Sequence, residues 1–322
     1  MYIPLFSTTR KRHERRGGGG GGGEGVGEGV VGGGEGEDGG ESSGGSSGGK
    51  SSGGSGPSTG EIEPYPVPLK SSSVSGKSSA SAYGYGGGKS ITIPSGQLFE
   101  GRSAGGGTRN QIFGSKSYGS GYPGITGRGV AGRGFPFWFW PIVWGSTAAE
   151  TAPYLNGSEY GDSFNTSRFG GPLMEATFIS NNSTPNTAFH VLSDNSTITS
   201  LIDTVSGHCS SHLSSSSSKT PFPFNTSSPS APQPGQVVQY YRASSVALTL
   251  DGYNNSATFS SNQNATDTPL PSNIDMTLLN CLNQTIALSM PLVDGSPVLF
   301  AVPSVPTLML LSLVISSISS FI

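Results

Sequence analysis

Residues 44–51, Gly-Gly-Ser-Ser-Gly-Gly-Lys-Ser, match the G-x-x-x-x-G-K-[ST] spacing of a phosphate-binding loop. That chemistry needs a strand before the loop and a helix after it, so that amides and a helix N-terminus cradle the phosphates. Both flanks here are Gly/Ser-rich, and low complexity produces such matches freely, so no nucleotide is expected. His208, Cys209 and His212 place three zinc-type donors within five residues. Zinc needs a fourth ligand, and a Cys held in a disulfide cannot serve. The plainer reading is a surface helix end leading into a Ser run, with no metal and no cofactor. Scattered Ser, His and Asp residues show no positional logic for a nucleophile–base pair, and the chain is not expected to be an enzyme.

Two other constellations carry more information. All three Trp of the chain lie in the stretch from Gly134 to Gly145. Its large rings are Phe135, Phe137, Trp138, Phe139, Trp140 and Trp144. Pro136 and Pro141 exclude a regular helix, and the run is too short to span a bilayer. Three readings stay open: a core strand or lid, a layer at a membrane interface, or an exposed contact for a carbohydrate or protein ligand. The other constellation is nine Asn-X-Ser/Thr sequons, at Asn156, Asn165, Asn181, Asn182, Asn195, Asn225, Asn254, Asn264 and Asn283. Ser and Thr make up 50 of the 172 residues from position 151 onward, and that region holds 14 Asn. Composition alone therefore explains about four sequons and leaves the rest to N-glycosylation. Export of this region also makes a disulfide between Cys209 and Cys281 the natural fate of the only two cysteines.

The elements around these residues differ between the halves of the chain. Only eight of the 51 Gly lie beyond residue 150. Each Gly raises the entropy cost of ordering the backbone, so the first half is not expected to fold as a conventional domain. Residues 1–90 read as a disordered Gly/Ser-rich arm, and 91–150 as a Gly-rich segment ending in the aromatic block. Residues 151–296 read as a small α+β, helix-containing ectodomain with a single disulfide. Asp194 or Ser196 caps a helix with Ile198, Leu201, Ile202 and Val205 on one face. A further helix fits 275–289. Ala176–Ile179 and Thr187–Leu192 lean towards strand, and 235–250 fits helix or strand equally. Ser210–Gly235 reads as a solvated, O-glycosylatable spacer.

Pro297–Ile322 carries no charge over 26 positions, enough to cross a bilayer. Two readings are open: a retained transmembrane helix, or a lipid-anchor signal with its attachment site at Asp294, Gly295 and Ser296. The expected partners are thus a membrane and, through the arm, wall polysaccharide or other surface proteins. A net charge of −3 gives no reason to expect nucleic acid.

The stretch GGGTRNQIFGSKSYGSGYPGITGRGVAGRGFPFWFWPIVWG, with DNSTITSL and QYYRASSVALTLDGYNN, resembles uncharacterised Gly-rich, membrane-anchored surface proteins of mushroom-forming (basidiomycete) fungi. The resemblance covers about 90–296 and is most specific in the aromatic block and in QYYRASS. It implies a surface location and a signal peptide ahead of the Gly tract. It brings no catalytic residue. The functional expectation is a membrane-attached, glycosylated surface or wall-associated protein with a structural or interaction role. The alternative is a binding module that uses the aromatic block.

Overall fold

The computed structural model describes residues 62–70, 76–183 and 186–295. Contacts divide the chain into Met1–Ser58 and Thr59–Ile322, and all described residues belong to the second unit. The tail 297–322 and most of the arm lie outside the described residues. Among those residues, no helix is long and apolar enough to cross a membrane.

In chain order the elements are β1 (Tyr65–Pro68), β2 (Ser79–Ala82), β3 (Ile91–Thr92), β4 (Ser103–Ala104), α1 (Ser146–Thr151), β5 (Leu173–Ser183), β6 (Asn186–Asp194), α2 (Asn195–His208), β7 (Phe222–Pro223), β8 (Val237–Tyr241), β9 (Val246–Leu250) and α3 (Met276–Ser289). Five strands form one antiparallel sheet in the order β7-β5-β6-β9-β8. With α2 and α3 this makes an α+β fold, closed by one disulfide.

Strand alternation decides the sheet's two faces. The rows Ala176–Val191–Leu248 and Phe178–Phe189–Leu250 are aligned across β5, β6 and β9, and all six side chains are buried. The Thr187 hydroxyl, on the same face as Phe189 and Val191, accepts a bond from the Asp275 amide at the start of α3. This is therefore the helix-facing side. Asp194 caps α2 by accepting from the Thr197 amide at 2.9 Å. Asp275 caps α3 by accepting from Thr277 and Leu278. The apolar stripes then meet the sheet and each other: Ile198, Leu201, Ile202 and Val205 from α2, and Leu278, Leu282 and Ile286 from α3, all buried. Both expected helices thus form.

The ambiguous region 235–250 becomes the β8–β9 hairpin. Val237, Tyr240, Tyr241, Val246, Ala247 and Leu248 are all buried, on both faces of the sheet. A helix there would leave half of them in water. The spacer at 210–235 also differs from expectation, because part of it is built into the sheet. The Ser217 and Ser218 hydroxyls accept bonds from the Ile179 and Thr177 amides of β5, at 2.9 and 2.8 Å. β7 pairs with the end of the same strand, and Phe224 is buried. These serines cover an edge that would otherwise present unpaired amides.

The larger correction concerns the first half. Residues 62–70 and 76–90, assigned to the disordered arm, belong to the folded body. β1 pairs with β2, and Ser81 of β2 exchanges backbone bonds with Leu292 at 2.7 and 3.0 Å. Residues 91–150 are not a separate segment either, because their buried side chains join one hydrophobic core with those of the sheet and helices. The reason is that glycine here serves close approach rather than freedom. A Cβ at Gly107 would sit 2.7 Å from the Phe137 ring. At Gly119, with φ +88°, it would overlap the Gly129 carbonyl. The backbone bonds that replace a regular ladder include Gly105 N to Phe135 O at 2.9 Å and Gly107 N to Pro136 O at 2.7 Å.

Candidate functional site

The aromatic block is the centre of the core. Phe135, Phe137, Trp138, Phe139, Trp140 and Trp144 are all buried. As an exposed ligand contact the block is therefore overturned. Its rings touch residues from far along the chain: Phe139 meets Phe169 edge-on at 5.0 Å, and Trp144 meets Phe224 at 6.1 Å. Trp144 donates its indole N–H to the Tyr240 hydroxyl at 3.0 Å. Two buried arginines hold the block. Arg168 donates to the carbonyls of Trp140 and Pro141, which the two prolines leave without a helical or strand partner. Arg242 stacks over the Phe139 ring, 3.4 Å from its centroid.

Arg242 lies in the QYYRASS stretch, at the tip of the β8–β9 hairpin. Three consecutive non-Gly residues there, Arg242, Ala243 and Ser244, have φ of +49°, +49° and +59°. Such left-handed positions are strained unless their surroundings over-determine them. Here they do. Arg242 N bonds Ile112 O at 2.7 Å, and Ile142 N bonds Ser244 O at 2.9 Å. The Arg242 guanidinium is fully buried and satisfied by Ser245, Thr197, Pro291 O, Ser193 and Asp194, the last at 2.7 Å. Burial lowers its pKa to about 10, which leaves it charged at neutral pH. The sequence-level specificity of QYYRASS thus corresponds to a structural hub, not to a reactive group.

Cys209 and Cys281 are joined, as expected, and tie the C-terminal end of α2 to α3. None of the nine sequon asparagines is buried. Asn156, Asn181, Asn182, Asn225, Asn254 and Asn264 are exposed, and Asn165, Asn195 and Asn283 are half-buried. Of the segment read as an anchor site, Asp294 and Gly295 are held in the fold and Ser296 lies outside the described residues. The Asp294 carboxylate accepts from Gly86 N at 2.6 Å, and Gly295 N donates to Gly86 O at 3.0 Å.

Two features were not read from the sequence. On the face of the sheet away from the helices, His190 sits between two carboxylates. Its Nδ1 lies 2.7 Å from Glu175 Oε1 and its Nε2 lies 3.0 Å from Asp251 Oδ1. The Thr177 hydroxyl also approaches Nδ1 at 3.1 Å. Burial works against the charged ring, but the bonds and charges of Glu175 and Asp251 outweigh it, and the His190 pKa is raised. An imidazolium that donates from both nitrogens has no free lone pair with which to accept a proton. The cluster acts as a clamp across β5, β6 and the end of β9. Nothing in the sequence spacing shows it, since it depends on strand register.

The second is a surface groove of about 520 Å³ lined by Ile62, Glu63, Pro64, Tyr83, Tyr85, Arg109 and Leu288. Arg109 is one of its lining residues. Its guanidinium donates to Gly84 O at 2.6 and 2.9 Å, Ala287 O at 3.0 Å and Met290 O at 2.8 Å, fastening the Tyr83–Tyr85 turn to the end of α3. Burial lowers the Arg109 pKa to about 10. Tyr83 adopts φ +59° and packs its ring between Tyr65 and His208. Among the described residues, no group of three or more His, Cys, Asp or Glu is arranged to hold a metal ion.

No family model, no curated protein and no solved structure matches the chain.

Proposed function

We propose that the chain is a membrane-attached, glycosylated cell-surface or wall-associated protein whose folded body serves a structural or interaction role. The observation that carries this reading is a coincidence of two lumenal chemistries in one region. The only two cysteines are joined, and all nine sequon asparagines keep surface access on the same fold. Reducing compartments oppose the first, and N-glycans require the second. Asparagine favours surfaces in any protein, so the exposure of the sequons supports the reading less strongly than the disulfide does.

The uncharged run Pro297–Ile322 supplies the attachment. A lipid-anchor enzyme would have to meet Asp294 and Gly295 before they dock against Gly86; a retained helix carries no such constraint. The Gly/Ser-rich stretch ahead of residue 62 serves in this reading as an arm reaching into the wall. The test is microsomal fractionation of the full chain, followed by glycosidase treatment and thiol labelling. A mobility shift with no labelled thiol is expected. An unshifted band with both thiols free in a soluble extract overturns the proposal.

A further inference from the structure

The groove between Tyr83, Tyr85 and Leu288 adjoins the end of the described chain, just ahead of the uncharged run Pro297–Ile322. Gly295, the last described residue, donates to the carbonyl of Gly86, the residue next to Tyr85. Pro297–Ile322 thus begins two residues beyond a point fixed beside Tyr85, and a bilayer that receives this run is tethered next to this part of the surface. The side chains found there are unusual for a water-facing surface. Tyr85 is 78% exposed, Leu288 59%, Ile62 47% and Tyr65 38%. Ile62, Tyr85 and Leu288 line the groove, and Tyr65 stacks on its Tyr83 wall at 6.1 Å. These are four of the ten large apolar side chains exposed among the described residues, and none of the other six lines the groove. Single exposed apolar residues need no explanation, whereas a cluster marks a contact surface.

We infer that this face is a membrane-contact surface: Tyr85, Tyr65, Ile62 and Leu288 enter the interfacial layer of the bilayer at the root of the tail. The inference rests on the membrane-attached reading above. Tyrosine suits the role, because its ring sits among lipid carbonyls while its hydroxyl stays wet. Arg109 suits it less as a phosphate ligand, since its donors already serve Gly84, Ala287 and Met290. Glu63 lies in the same groove and is exposed, which disfavours an anionic surface. The contact is thus one of aromatic and aliphatic side chains with zwitterionic lipid. It holds the body against the membrane rather than letting it swing on the tail.

The test uses the full chain, synthesised in the presence of phosphatidylcholine vesicles that carry a small fraction of a headgroup-proximal diazirine lipid. Flotation is scored first, then photolabelling is mapped by peptide. Labels concentrated on the peptides holding Tyr85 and Leu288, several-fold above those holding Ile125 and Phe164, are the expected result. The double variant Tyr85→Ser, Leu288→Ser changes two exposed side chains, so it should still fold and float but lose most of that labelling. Flotation with labels spread evenly, or concentrated at Ile125 or Phe164, overturns the inference while leaving the membrane-attached reading intact. Failure to float overturns both.

Discussion

The stretch from Tyr83 to Gly145 and the body from Leu173 to Ser289 reach the same end by different physics. The second follows periodicity: burial alternates along the first part of β6, β8 and β9 are buried on both faces, and the i, i+3, i+4 stripes of α2 and α3 cover the sheet. Between Tyr83 and Gly145 the described chain has little regular structure: two two-residue strands and one short 3-10 turn. Yet it contributes Tyr118, Phe135, Phe139 and Trp140 to the interior. Order there comes from large rings, from glycines that let backbone approach them, and from arginines that satisfy the carbonyls left over. A glycine-rich composition therefore has two opposite meanings. Alone it signals coil. Interleaved with aromatics and arginine it builds a core without secondary structure.

The largest effect that sharpens this contrast is expected at Arg242, which touches both regions. It stacks on Phe139 and bonds Asp194 at the start of α2. Arg242→Met removes one partner of a fully buried pair and leaves the Asp194 carboxylate uncompensated, a loss of about 3–5 kcal/mol. Denaturant unfolding followed by tryptophan fluorescence would measure it. The double variant Arg242→Met, Asp194→Asn should recover much of the loss. If the single variant costs no more than the double, the pair is not what joins the two regions.

Next come two glycines with opposite expected signs. Gly119→Ala forces a side chain into a left-handed position that already abuts Gly129, and should cost more than about 1 kcal/mol. Gly207, in the last turn of α2, has nothing within 4 Å of where a Cβ would sit. Gly207→Ala should stabilise by about 0.5–1 kcal/mol. Thermal denaturation of the two variants would show melting points moving in opposite directions. Equal shifts would mean that glycine plays one role in both regions.

What could be read from the residues follows the same division. Both long helices and the strand-like runs at 176–179 and 187–192 were legible, because each writes its environment in a local period, whereas the choice of Asp194 over Ser196 as cap was decided only by the structure. The pairing of the two cysteines was legible only through the export that the sequons suggested. The folding of 62–150 was not, since the partners of Gly105, Gly107 and Gly119 are set by tertiary contact rather than by spacing. Composition treats the Gly-rich residues ahead of 62 and those after it alike. For the same reason the site residues divide. The sequons depend on local sequence and can be read directly. The clamp at Glu175, His190 and Asp251 depends on register, and the groove depends on how β2 meets the 290s.

A smaller effect separates the tryptophans within the block. Trp144 bonds Tyr240, whereas the buried indole N–H groups of Trp138 and Trp140 have no partner. Trp144→Phe leaves the Tyr240 hydroxyl short of a bond in a buried site, a cost of about 1–3 kcal/mol beyond lost packing. Trp140→Phe removes an unpaired donor, so its packing loss is partly offset. Chemical denaturation should rank Trp144→Phe as the more damaging, although both changes delete the same atoms. The reverse order would mean that shape alone holds the block.

The smallest effect lies on the sheet, where charge rather than packing is at stake. His190 is raised above its usual pKa because Glu175 and Asp251 favour the imidazolium more than burial opposes it. A raised folded-state value means that the clamp contributes fully below the unfolded pKa, about 6.5. The contribution is then lost as pH rises through the folded value. Stability should thus fall on going from mildly acidic to alkaline pH, and His190→Gln should flatten that slope without altering the acid limb set by other carboxylates. The aromatic half provides the contrast. Arg168 and Arg242, lowered by burial to pKa values of about 10, stay charged through the neutral part of that range. A slope that survives in His190→Gln would place the pH dependence outside the clamp, and the sheet would then be no more pH-sensitive than the aromatic core.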